Sequence, residues 1–245
     1  MTVEGPKILF ELFGTIPVTE TTVNGWIIIA LVFVLCKILT SKLEIIPTTK
    51  RQIIAEMIVT SVKNLVLNTM GSKCKAFIPY IITLFTYSVF GSLISLVGLR
   101  SVTADVNVIL TWALITFILT QYNAIRTKRL GKYLKGFTEP IFIMTPMNII
   151  SELSNVISLT FRHFGNILAG FVITGLVYTG LEGLSALIGN LPFLGFLKEI
   201  PLFQVGIPAV LSLYFDLFSG FIQAFIFCTL SMVFISNAMD ESACN

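Results

Sequence analysis

Charge is scarce in this chain. Of its 245 residues only 12% are Asp, Glu, Lys or Arg, against about a quarter in soluble domains, while 55% are hydrophobic. That imbalance excludes a water-soluble globular domain. A single histidine, His163, and four cysteines at 36, 74, 228 and 244 with no CxxC or His-paired spacing point away from a zinc or haem site and from a disulfide framework. There is no P-loop, so no nucleotide chemistry is expected on this chain. The 16 basic residues against 13 acidic ones leave a net charge of +3, too little to suggest a nucleic-acid partner. Residues 1–24 lack a basic segment leading into an apolar stretch with a small-residue cleavage site, so the N-terminus is expected to be retained and the first span to act as its own insertion signal. No internal repeat is visible.

What is present is apolar length. Each helical crossing of a bilayer uses about 20 residues, so a chain of this size holds about five or six. The composition predicts an all-α polytopic membrane protein, one integral membrane domain over residues 1–245. Spans are expected at about 23–43, 76–96 and 106–124, after an external segment 1–24. Over residues 50–69 the pattern changes. Ile53, Ile54, Met57, Ile58, Val62, Leu65 and Val66 recur at helical spacing while Lys50, Arg51, Glu56, Lys63 and Asn64 take other faces, which predicts an amphipathic helix on the cytoplasmic membrane surface. The basic residues concentrate in loop 41–75 and in the run Arg126, Lys128, Arg129, Lys132 and Lys135, which has no acidic residue. Cytoplasmic loops carry such an excess, so the N-terminus is expected outside and the C-terminal tail inside.

Two apolar segments, 147–180 and 209–236, are too long for a perpendicular crossing. The first would be about 51 Å as one helix against a hydrocarbon core of about 30 Å, which demands a tilt of about 54°. Five crossings, the last two forming a long, steeply tilted hairpin, are therefore expected. Arg162 lies near the middle of the first, too far from either end to snorkel. A guanidinium at that depth costs about 2.5–3.5 kcal/mol on insertion scales and cannot lose its proton, so it can only be a fixed positive charge. Gly165 and Ala169 form a small-xxx-small pair beside it, and Asn166 is one turn on. In the second segment Asp216, Gly220 and Gln223 share one face of a regular α-helix, with Ser219 beside them.

The string Ser158-Leu159-Thr160-Phe161-Arg162-His163-Phe164-Gly165-Asn166-Ile167-Leu168-Ala169-Gly170, followed by Phe221-Ile222-Gln223-Ala224-Phe225-Ile226-Phe227, closely resembles subunit a of F-type ATP synthases. So does Thr103-Ala104-Asp105-Val106-Asn107-Val108 with the later basic loop and Glu139-Pro140. The resemblance runs from about residue 70 onward and is weak in the first 45 residues. It implies that Arg162 faces a ring of c subunits whose carboxylates carry the coupling ion, and that Asn166 and Gln223 position the arginine and line a water-accessible gap. It also implies that Glu152 lies on the inner half-channel. Asp105 and Asn107 are either an outer half-channel pair or a helix N-cap. At Phe171 the family often has a titratable residue, which leaves Asp216 as the main carboxylate of the outer half-channel. His163 departs from the family's usual apolar residue, and a packed histidine or a proton relay would each explain it. The implied partners are the c-ring, the b subunits of the peripheral stalk, the soluble sector indirectly, and membrane lipid. No cofactor or metal is implied, and the implied location is the bacterial plasma membrane. Two other classes compete. A stand-alone secondary transporter or channel would also place Arg and Asp in tilted helices, but no inverted repeat supports it. A membrane-embedded enzyme would need a nucleophile and base that this chain does not offer.

Overall fold

The computed structural model describes residues 7–12, 16–41, 43–47, 49–128, 130–138, 142–189, 210–211 and 213–239. The chain is an all-α polytopic membrane protein, and six of its helices are long and apolar enough to cross a bilayer. It opens with an antiparallel hairpin, β1 (Ile8–Leu12) against β2 (Ile16–Thr19). Reading 1–24 only as an external segment missed this pairing. α1 follows (Glu20–Leu39), with an acidic residue in its first turn and Lys37 in its last, both favourable to the helix dipole. Its inward face is mostly small or polar, made by Thr21, Asn24 and Gly25 with one apolar residue, Ile28, while Trp26, Ile29, Phe33 and Val34 point away from the chain. That inversion suits a lipid solvent, in which apolar side chains gain nothing by turning inward. Gly25 lies close to Tyr87: a Cβ there would stand 2.7 Å from its movable hydroxyl.

α2 (Lys50–Met70) is the least apolar of the six long helices. Its C-terminal part enters the core through Val66 and Met70, whereas Ile53, Ile54, Met57 and Ile58 stay exposed. Gly71, at φ +88°, ends it in a conformation that a side chain would resist. α3 (Ile78–Leu93) and α4 (Val106–Lys128) are joined through two short 3-10 turns and a left-handed Gly98. α5 (Leu130–Thr138) is a short helix beyond the end of α4, and α6 (Thr145–Gly189) is 45 residues long. At about 67 Å, α6 exceeds the length read from residues 147–180 and is more than twice the thickness of a hydrocarbon core.

The second long segment differs from expectation. Residues Tyr214–Ser219 form a π-helical stretch, and the regular helix, α7, runs from Gly220 to Ala238. The α-helical spacing that placed Asp216, Gly220 and Gln223 on one face therefore holds only from Gly220 onward, because a π turn takes more residues than an α turn. The core is assembled where the end of α2 meets α3, α4, α6 and α7, with Ile81, Ile109, Trp112, Leu159, Phe227 and Met232 among its buried side chains. Cys74 and Cys228 are buried and Cys36 is exposed.

Candidate functional site

Arg162 stands about 25 Å from the start of α6, and its side chain is exposed. It makes no hydrogen bond or ion pair among the described residues. The same open face carries Ser158, Ala169 and Val172, all exposed. At Gly165 no described atom lies within 4 Å of where a Cβ would stand, so the small-residue pair at 165 and 169 has no partner helix within the described chain. Gly170 belongs to a different surface. It is buried, and a Cβ there would meet the Phe215 ring at 3.1 Å, which brings the π stretch onto α6 beside Phe171. Phe171 itself is exposed. The side chain of Asp216 lies outside the described residues.

Asn166 was expected to position Arg162. The structure gives it another partner: its Oδ1 accepts a hydrogen bond from the Ser219 hydroxyl at 2.8 Å, tying α6 to the end of the π stretch. Gln223 is buried on α7. His163 is fully buried, with its ring edge-on to Trp112 (6.1 Å) and Phe227 (5.6 Å), and neither ring nitrogen has a hydrogen-bond partner among the described residues. It is a packed core side chain.

At the start of α4, Asp105 is an N-cap. Its Oδ1 accepts the Asn107 amide at 3.0 Å, and its Oδ2 accepts the Thr21 hydroxyl at 3.0 Å, which fastens α1 to the same point. Asn24 reinforces the joint by donating to the Arg100 carbonyl at 2.9 Å. Asn107 is exposed. The cap reading of this pair thus has its geometry.

At the other end of the bundle lies a cavity of about 550 Å³ between α4, α5, α6 and α7. Polar side chains line much of it, including Gln121, Lys128, Lys132, Tyr133, Asn148, Glu152, Asn155 and Asn237. A second space of about 20 Å³, lined by Thr116, Thr120, Glu152 and Asn155 with apolar neighbours up to Leu159, adjoins it. That is room for about one water molecule with polar partners at hand. Glu152 borders both spaces. Its Oε2 accepts a hydrogen bond from Gln121 Nε2 at 3.1 Å, and the Tyr133 hydroxyl donates to Gln121 Oε1. Burial raises the Tyr133 phenol above its ordinary value, and the Glu152 charge pushes it the same way. Reading along the chain missed Gln121, Tyr133 and Asn155, and named Ser219 without its partner Asn166. Only Asn155, three residues after Glu152 on the same helix, carried a local signal.

These features define an all-α multi-pass membrane protein with a fixed positive charge on an uncovered helix face. The family model described as "ATP synthase A chain" matches residues 22–236, beginning well before the region in which the motifs are recognisable. The chain is 32% identical to "ATP synthase subunit a 2" of Bradyrhizobium sp., covering 96% of this chain and 95% of that one. It is 33% identical to "ATP synthase subunit a" of Limosilactobacillus reuteri, covering 97% and 99%. It is 30% identical to "ATP synthase subunit a, sodium ion specific" of Propionigenium modestum, covering 98% and 87%. The chain belongs to the ATP synthase A chain family. It is an ion-translocating stator subunit of the membrane sector, working within the ATP synthase complex and without nucleotide catalysis of its own. The transporter reading is set aside.

Proposed function

We propose that Arg162 is the fixed charge past which the carboxylates of a c-ring move, and that the open face of α6 around it is the surface the ring covers. The observation that carries this reading is the exposure of Arg162 at mid-helix, beside a glycine with open space in front of it. In lipid alone that guanidinium would be costly; beside a carboxylate it is stabilised and in turn favours the ionised carboxylate. A loaded c subunit arriving there must release its ion. The same charge repels cations and keeps two offset aqueous routes from joining. Each elementary charge moved through 100 mV supplies about 2.3 kcal/mol to rotation.

The inner route runs through the cavity bordered by Glu152. The outer route uses Asp216, with Asp105 and Asn107 at its rim, and Asn166 and Gln223 shape the gap between the helices. The protein sits in a bacterial plasma membrane with its N-terminus outside and its C-terminus in the cytoplasm. α2 rests on the cytoplasmic surface, and α6 and the final segment form the tilted hairpin. The b subunits of the peripheral stalk hold the chain against the ring, and the soluble sector is reached through them.

The test is Arg162→Ala in the whole complex. ATP-driven ion uptake into inverted vesicles and ion-driven ATP synthesis are both expected to vanish, while the complex assembles and its detached soluble part still hydrolyses ATP. Coupled activity at the native rate would overturn the assignment.

A further inference from the structure

The cytoplasmic cavity contains a hydrogen-bonded chain across three helices, from Tyr133 on α5 to Gln121 on α4 to Glu152 on α6. The chemistry of its members fixes its direction. A phenol has one hydrogen to give, and an ionised carboxylate can only accept. The amide between them must therefore turn its oxygen to Tyr133 and its NH₂ to Glu152. The opposite orientation would set an amide oxygen against a carboxylate oxygen and an NH₂ against a phenolic hydrogen. Tyr133 thus selects the orientation in which Gln121 serves Glu152.

We propose that Gln121 and Tyr133 are positioning residues for ion transfer, holding the Glu152 carboxylate at the junction of the large cytoplasmic cavity and the small space that leads deeper into the bundle. The inference rests on the reading of Glu152 as the inner-route carboxylate. Its support is the place of that carboxylate. Glu152 borders both spaces, and beyond it the small one offers Thr116, Thr120 and Asn155. The Thr120 hydroxyl donates to the Thr116 carbonyl, so its oxygen is turned to accept rather than to give, while the Thr116 hydroxyl donates to the Trp112 carbonyl and its oxygen is already hydrogen-bonded to the Tyr80 hydroxyl at 2.7 Å. An ion leaving Glu152 meets acceptors there. A carboxylate free to rotate into the wide cavity would break that sequence.

α5 joins this chain of bonds through Tyr133. Its ring is braced edge-on by Phe137 at 5.1 Å, so a helix of only nine residues presents a rigid donor to the cavity. Around Glu152 the titratable and charged groups are Lys128 on α4 and Lys132 and Tyr133 on α5. Among the described lining residues, α6 and α7 add only uncharged ones, Asn148, Ser151, Asn155 and Asn237. These are the groups near Glu152 whose titration the two substitutions could alter.

The experiment uses the intact complex in inverted vesicles, whose cytoplasmic side faces the bath. ATP-driven ion uptake is measured against bath pH and divided by the ATPase rate of the same vesicles. A hydrogen bond donated to a carboxylate favours its charged form, so in Gln121→Leu uptake is expected to fall about five- to tenfold and its pH profile to move upward by about one unit. Tyr133→Phe, which removes one oxygen and keeps the Phe137 contact, is expected to move both in the same direction by about a third as much. It carries the test if Gln121→Leu does not assemble. In a Glu152→Gln background, already slow, neither substitution is expected to add anything. Native uptake and an unmoved profile in both variants, with Glu152→Gln slow, would overturn the inference while leaving Glu152 in its role. Equal slowing with and without Glu152, and no shift in pH profile, would overturn it too, since a purely structural contact behaves that way. Native uptake in Glu152→Gln would instead overturn the reading of Glu152.

Discussion

Arg162 and His163 are neighbours in the chain and opposites in the fold. One projects from an open face with nothing described in front of it; the other is sealed between Trp112 and Phe227 with no hydrogen-bond partner for either nitrogen. A helix turns by about 100° per residue, so one step separates an exposed face from the subunit's own core. The comparison teaches that polarity in this helix has two unrelated sources. At 162 a charge stands exposed with no ion-pair partner among the described residues, and on the proposed reading the ring supplies its complement. At 163 a polar ring occupies a site that an apolar ring of similar size would fill without an unpaired group.

The open side is where the largest effects are expected. Arg162→Lys keeps the charge but loses the planar fork, and lysine can shed its proton in a dry site. Ion uptake is expected to fall to background in assembled complexes; substantial uptake would show that charge alone suffices. Next comes a pair of glycines on the two sides. Gly165→Leu is expected to leave the chain folded and to abolish coupling by obstructing the partner that approaches the open face. Gly170→Leu is expected to damage packing against Phe215, read as reduced amounts of assembled subunit. If both variants behave alike, the division into two faces is wrong.

The sealed side is sharpened by His163. His163→Ala leaves a cavity and is expected to cost about 2–4 kcal/mol, lowering the thermal midpoint of the detergent-solubilised complex. His163→Phe fills the same space without orphaned nitrogens and is expected to be neutral or stabilising by about 1 kcal/mol, with uptake unchanged. A large loss of uptake in His163→Phe would restore the relay reading. Smaller effects are expected where helices only touch. Gly220→Ala would bring its Cβ to 2.9 Å from the Ser92 Cβ, a contact neither backbone can easily relieve, and is expected to cost about 1–3 kcal/mol. Gly25→Ala meets only the movable end of Tyr87, so a cost below about 1 kcal/mol is expected in the same melting experiment.

Much of this was legible in the sequence because a bilayer sorts residues by hydropathy along one dimension. The scarcity of charge, the two basic loops and the depth of Arg162 all lie on that axis. What hydropathy does not report is which side of an apolar helix meets protein, since lipid is as apolar as a core. Hence spacing gives neither the bond from Ser219 to Asn166 nor the difference between Gly165, which is open, and Gly170, which is packed against Phe215. The bond between Gln121 and Glu152 joins residues 31 apart on separate helices, and no local spacing announces it. The π stretch was invisible for the same reason: Tyr214–Ser219 has ordinary apolar composition. The short hairpin at Ile8–Thr19 was hidden inside a segment read only for its lack of a leader.

That π stretch works like a vernier between two scales. A π turn holds about one residue more than an α turn, so each side chain before it is offset from the register that α7 alone would impose. Removing one residue between Tyr214 and Ser219 would let the segment relax to α geometry and swing everything upstream by about 100°, while Gln223 and the core contact of Phe227 stayed where they are. The bearing of the chain that leads into α7 can therefore change by insertion or deletion without disturbing the helix that follows. In this fold the direction of approach and the integrity of the core are set by separate stretches of one segment.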